Sequence, residues 1–298
     1  WVFCCTEMQK KIEEAHDMSF LEKVRKHNPL VHNITNVVVT NFTANGLLAL
    51  GASPFMAYAH EEVAEVAAMA GAVMLNIGTL DPYTVHSIKL AGRAANAAGV
   101  PVVFDPVGAG ATAYRTASAH EIIADVKVDI LRGNIAEVAH VIGEDWQIKG
   151  VDAGGGEGDR AALALRAARK LSCIVVITGQ QDIITDGVQV NRISNGHPLL
   201  TQVTGAGCLL SSVVAAFAAV AESNEQRLEA VTEAVASYGL AAELAAIDAA
   251  GQGTGSFQMA FLNRLSTMTA EHVADRSLVQ RQIDPAYETK SHRPSNLS

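Results

Sequence analysis

Short apolar runs rich in β-branched residues recur along the chain and alternate with longer Ala-rich stretches whose apolar residues return at helical spacing. The short runs predict strands at Leu30–Ile34, Phe55–Tyr58, Val73–Ile77, Val102–Phe104, Ile130–Leu131 and Ile174–Ile177, then the pair Ile183–Thr185 and Gln189–Ile193. The longer stretches predict helices over Asn36–Leu50, Glu61–Ala70, Thr84–Ala98, Asn134–Ile142, Asp159–Leu171, Gly207–Ala221, Arg227–Ala249 and Ser256–Leu265. Several strands are apolar at nearly every position, as a parallel strand covered on both faces must be. The order is that of an α/β protein with a central, mostly parallel sheet and helices on both faces.

Ligands of open α/β sheets bind beyond the carboxyl ends of the strands, so the residues that follow each apolar run are the candidates for chemistry. They are Asn76 and Gly78, the run Asp105-Pro106-Val107-Gly108-Ala109-Gly110, then Arg132 to Glu137, then Thr178-Gly179. The segment Thr204-Gly205-Ala206-Gly207-Cys208 runs straight into an apolar helix. Its glycines let a ligand approach the backbone, and the first helical turn of Gly205, Ala206, Gly207 and Cys208 offers N–H groups to an anion. The same field favours a thiolate at Cys208, which could then take a proton from a hydroxyl attacking a phosphate. The other reading of Cys208 is a small buried residue after a turn.

Each rim residue has such a second reading. Asp105-Pro106 either ends a strand or places a carboxylate at the site. Asn134 with Glu137 three residues on forms a capping box, or Glu137 joins Asp105 in supplying hard oxygens for Mg²⁺. Arg132 either pairs with a surface carboxylate or meets a phosphate. Together, acidic groups, an arginine, a hydroxyl and an anion hole at one rim suit a magnesium nucleotide. On the Asn36–Leu50 helix, Asn36, Thr40 and Thr43 share a face that either lines a cavity or bonds back to helix carbonyls. His32 and His60 stand alone near strands, and neither has a catalytic role by spacing. The Gly154-Gly155-Gly156-Glu157-Gly158 run lacks a P-loop ending and reads as a loop.

Composition narrows the class further. The 298 residues are 49% hydrophobic and 18% charged, enough to bury a large core, and the net charge of −9 without a basic run excludes a nucleic-acid or anionic-membrane surface. Cys4, Cys5, Cys173 and Cys208 form no CxxC pair, which fits a reducing cytoplasm. Apolar segments are interrupted before the ~18 residues a membrane span requires, so neither export nor insertion is expected. Residues 1–18 are set apart as an N-terminal extension, 19–272 as one domain, and 273–298 as a polar tail, loosely ordered from about Asp275.

Pro29-Leu30-Val31-His32-Asn33-Ile34-Thr35-Asn36, Asn41-Phe42-Thr43-Ala44-Asn45-Gly46, Gly51-Ala52-Ser53-Pro54, Leu75-Asn76-Ile77-Gly78-Thr79, Asp105 to Ala111 and the TGAGC segment occur in order. This set resembles the hydroxyethylthiazole kinases of the ribokinase-like superfamily, from about Asn28 to Thr269. The resemblance implies ATP-dependent phosphorylation of 4-methyl-5-(2-hydroxyethyl)thiazole by a homotrimer with sites between subunits. It also implies that Met56, Gly205 and Asn36 contact the thiazole, Arg132 and Thr178 contact ATP, Asp105 and Glu137 surround Mg²⁺, and Cys208 stands where related enzymes have an Asp base. Ile148 to Asp152, including Lys149, belongs to the shared pattern without an assigned role.

Overall fold

Six parallel strands make the frame of the site. The computed structural model describes residues 18–144 and 157–284. The strands are β1 (Leu30–Ile34), β2 (Ser53–Phe55), β3 (Ala72–Asn76), β4 (Val102–Asp105), β5 (Ile130–Asn134) and β6 (Ile174–Thr178), followed by β7 (Asp182–Thr185), β8 (Gln189–Ile193) and β9 (Val279–Ile283). The sheet order is β2-β1-β3-β4-β5-β6-β7-β8-β9, parallel as far as β6 and antiparallel beyond it.

Both faces are covered. On one lie α1 (Phe20–His27), α2 (Thr40–Leu50), α8 (Ala206–Ala218), α9 (Asn224–Asp248), α10 (Thr254–Thr267) and α11 (Ala270–Arg276); on the other lie α3 (Val63–Met69), α4 (Pro82–Ala98), α5 (Ala113–Asp125), α6 (Ile135–Val141) and α7 (Glu157–Leu171). Strand residues alternate between the two cores, Ala72 and Met74 against Val73 and Leu75, or Ile174 and Val176 against Val175 and Ile177. Alternate side chains point to opposite faces, which is why these runs are apolar throughout.

The chain leaves β1 for β2 through α2 on one face and returns to β3 through α3 on the other. The connection therefore reverses direction between β1 and β3, and the crevice at such a switch is where open α/β sheets take ligands. After β8 the chain recrosses to the first face and lays α8 under β3 and β4. That delivers the Gly205–Cys208 turn to the same crevice.

Several elements differ from the sequence expectation. α1 begins with a capping box between Ser19 and Glu22, and Glu233 of α9 accepts the backbone N–H groups of Phe20 and Leu21 at 3.1 and 2.9 Å. α5 is an additional helix capped by Thr112. β2 starts two residues earlier than expected and ends at Phe55, and β5 extends to Asn134, which places Arg132 within a strand. The polar stretch assigned to a loose tail carries β9, held by antiparallel pairing to β8. α9 is long and apolar enough to span a membrane by length and composition, longer than the uninterrupted apolar stretch expected; 78% of its most apolar window is buried inside the protein. Ile148–Asp152 and Gly154–Gly156 lie outside the described residues, as do 1–17 and 285–298.

α2 and α8 meet at Gly46, where an added Cβ would stand 2.4 Å from a methyl of the buried Leu209. Gly46→Ala should therefore cost about 1–3 kcal/mol in denaturant unfolding by overpacking, and Leu209→Ala in the same chain should recover part of it. Additive losses in the double variant would contradict this contact.

Candidate active site

The rim is organised by buried carboxamides. Asn76 ends β3 and is fully buried; its Nδ2 donates to Asp105 Oδ2 at 3.0 Å and to Cys208 Sγ at 3.3 Å, while its Oδ1 accepts the Gly78 N–H at 2.8 Å. The Gly78 N–H fixes the orientation of the amide, since only the oxygen can face it. Asn36, just beyond β1, donates from Nδ2 to Asn76 Oδ1 and to Cys208 Sγ, both at 3.3 Å. Two amide donors from the two sides of the switch crevice thus converge on one sulfur. This geometry also explains why α2 begins at Thr40 and not at Asn36. Thr40 Oγ1 bonds back to the carbonyls of Asn36 and Val37, which decides the reading of that face in favour of back-bonding at this position.

Asp105, at the end of β4, is fully buried. Its Oδ2 accepts from Asn76, from Ser211 Oγ at 2.7 Å, and faces Arg132 Nη1 at 3.6 Å, whereas Oδ1 has no protein partner. Burial pushes its pKa up to about 6, against the pull of Arg132 and with a further push from Glu137. Ser211 lies one turn after Cys208 on α8, a buried hydroxyl in an apolar helix. Sequence reasoning missed it, although a polar pair, Ser211-Ser212, inside such a helix was the available signal.

Arg132 and Thr178 continue the rim across β5 and β6, with Arg132 Nη2 donating to Thr178 Oγ1 at 2.9 Å. Gly207 packs on the guanidinium so closely that a Cβ would lie 2.9 Å from Nη1. Glu137 does form the capping box with Asn134, and its Oε1 also accepts the Gly108 N–H at 2.9 Å, which ties α6 to the loop after Asp105. Met56 follows β2 and is half-buried, one strand outward from Asn36.

The turn into α8 has Gly205 as its cap at φ +87°, where a Cβ would also meet Val39 at 2.6 Å. Ala206 N–H is taken by Val203 O at 3.3 Å, so the free donors of the first turn are the N–H groups of Gly207 and Cys208. The expected thiolate is not favoured. Burial first, and then Asp105, push the Cys208 pKa up, and the bonds from Asn76 and Asn36 and the charge of Arg132 offset this only in part. Cys208 is a thiol that accepts two hydrogen bonds.

From β2 to β6 the rim spans five strand steps, roughly 24 Å, enough for two substrates end to end. The model of the hydroxyethylthiazole kinase family matches residues 21–271. The chain belongs to this family. A solved hydroxyethylthiazole kinase from Pyrococcus horikoshii OT3 is 42% identical, with 88% of this chain and 97% of that chain covered at a TM-score of 0.80. A Staphylococcus aureus pyridoxal kinase in complex with AMP-PCP, 17% identical with 86% and 98% covered at a TM-score of 0.54, shares the fold. So does a ribokinase-like superfamily protein from Enterococcus faecalis V583, 12% identical with 79% and 86% covered at 0.56. The protein is a kinase of thiamin biosynthesis, and its family reaction is ATP-dependent phosphorylation of hydroxyethylthiazole.

The raised pKa of Asp105 has a measurable sign. The native state holds this proton more tightly than the unfolded chain between about pH 4 and 6, so its contribution to stability falls as pH rises through that window. In EDTA, the kinase should lose up to about 3 kcal/mol more than Asp105→Asn between pH 4 and 7. Parallel pH curves for the two proteins in denaturant titrations would contradict it.

Proposed function

We propose that the kinase holds hydroxyethylthiazole over β2, β1 and β3 and the phosphates of ATP over β4, β5 and β6, with transfer at Cys208. The convergence of Asn36 and Asn76 on the Cys208 sulfur, with Asp105 on the other hydrogen of the same Asn76 amide, carries this reading. Met56, Asn36 and Gly205 bound the thiazole. Arg132 and Thr178 receive the nucleotide, and the free N–H groups of Gly207 and Cys208 face the transferring phosphate.

A magnesium ion fits these residues. Asp105 Oδ1 is a buried oxygen without a partner, and each Glu137 oxygen accepts one backbone N–H and keeps a lone pair. Two carboxylates with waters and phosphates are a donor set Mg²⁺ accepts. Bound there, the ion would neutralise phosphate charge. Arg132 adds a fixed positive charge, and the rigid rim aligns the hydroxyl with the phosphate. Cys208 accepts the hydroxyl proton as its thiolate, the minor form that the Asn76 and Asn36 amide hydrogens and Arg132 favour, and becomes the thiol; with that transfer late in a loose transition state, a small thiolate fraction suffices.

The exposed apolar residues Val37, Val38 and Phe55 follow β1 or end β2 at the acceptor end, and the exposed Leu48 lies further along α2. They support a homotrimer with this end of the site at the subunit boundary. The free thiols Cys173 and Cys208 support a cytoplasmic location.

Three variants test the chemistry. Cys208→Ala should lose about 10²-fold in turnover, while Cys208→Asp should keep or raise it, because a carboxylate there inherits two amide donors and the helix N-terminus. A fully active Ala variant beside an inactive Asp variant would refute the role of Cys208. Glu137→Gln should raise the Mg²⁺ concentration needed for half-maximal rate and also lower the melting temperature, since its amide N–H₂ meets a backbone N–H. A lowered melting temperature with an unchanged Mg²⁺ titration would leave Glu137 only as a cap.

A further inference from the structure

We propose that His32 and Tyr58 are positioning residues that lock the exit of β2 onto the exit of β1 and so set the shape of the acceptor pocket. The proposal rests on the assignment of Met56 and Asn36 to the thiazole. β2 has three residues, and its pairing with β1 ends at His32 opposite Phe55. Beyond that point Met56, Ala57 and Tyr58 leave the ladder at the outer edge of the sheet, where no further strand among the described residues holds them.

Side chains replace the missing ladder. His32 Nε2 bonds Ala57 O at 3.0 Å; the acceptor is a carbonyl, so the proton sits on Nε2, and Nδ1 stays bare and without a partner. Tyr58 OH donates to Thr35 O at 3.0 Å and accepts the Thr35 N–H at 3.4 Å. From α4, Ser87 Oγ donates to Tyr58 O at 2.7 Å. The anchored residues adjoin the pocket on both sides, Ala57 next to Met56 and Thr35 next to Asn36.

His32 is fully buried, and a leucine would fill that space without desolvating an imidazole. What the histidine adds is the bond to Ala57. Burial also holds its pKa below the ordinary value, so the ring is neutral at physiological pH.

The test is steady-state kinetics of the full chain with Mg-ATP and hydroxyethylthiazole. His32→Phe and Tyr58→Phe each keep a ring and remove the bond. In both, KM for the thiazole should rise about 10-fold while kcat and KM for ATP stay within about 2-fold. His32→Gln, whose amide can still donate to Ala57, should restore KM to within about 3-fold of wild type. Should His32→Phe fail to fold, Tyr58→Phe alone decides. Met56→Ala, run alongside, separates the two ideas. If it raises the thiazole KM while folded His32→Phe or Tyr58→Phe leaves KM unchanged, or lowers only kcat and melting temperature, the clamp is wrong. If Met56→Ala itself leaves KM unchanged, the pocket assignment is wrong instead.

Discussion

The carboxamide of Asn76 is the joint on which the site depends. All its polar capacity is in use: one hydrogen holds the carboxylate of Asp105, the other the sulfur of Cys208, and the oxygen holds Gly78 and Asn36. It couples the end of the crevice assigned to the acceptor to the end assigned to the metal and nucleotide. Because Asn76, Ser211 and Arg132 all address one oxygen of Asp105, the other is left free at the rim. A buried amide with every hydrogen bond made holds its neighbours rigidly, and rigidity is what phosphoryl transfer asks of a protein.

The network exists because parallel strands end on one side of a sheet. Polar residues that are far apart in sequence, Asn36, Asn76, Asp105, Asn134 and Thr178, reach one rim by ending or following successive strands. α8 then brings Cys208 and Ser211 under β3 and β4 from beyond β8. The low dielectric that strengthens these bonds also raises the pKa of Asp105 and Cys208, so the field of a helix N-terminus does not by itself yield a thiolate.

The frame was legible wherever burial on both faces made strands apolar throughout, and the Gly205–Cys208 turn was legible from its glycines. Asn76 was visible as a polar end to an apolar strand, yet its partners are 29 and 132 residues away, a distance no local pattern spans. β9 was hidden for the opposite reason: Val-Gln-Arg-Gln-Ile is an edge strand, mostly exposed, and only β8 makes it a strand. α5 mixes polar and small residues with a weak apolar stripe, and Thr112 capping was its one clear signal. Glu137 was read as either a cap or a metal ligand. It is a cap by geometry, and its two oxygens remain able to serve both ends.

The central claim is that this rim is built for a hydroxyethyl acceptor on a small heteroaromatic ring. Its most direct test is the ratio of kcat/KM for hydroxyethylthiazole to those for hydroxymethylpyrimidine and pyridoxal, measured side by side with Mg-ATP by coupled ADP release. The account predicts a preference for the thiazole of at least about 10-fold, or about 1.4 kcal/mol in transition-state binding. Equal or reversed preference would contradict it.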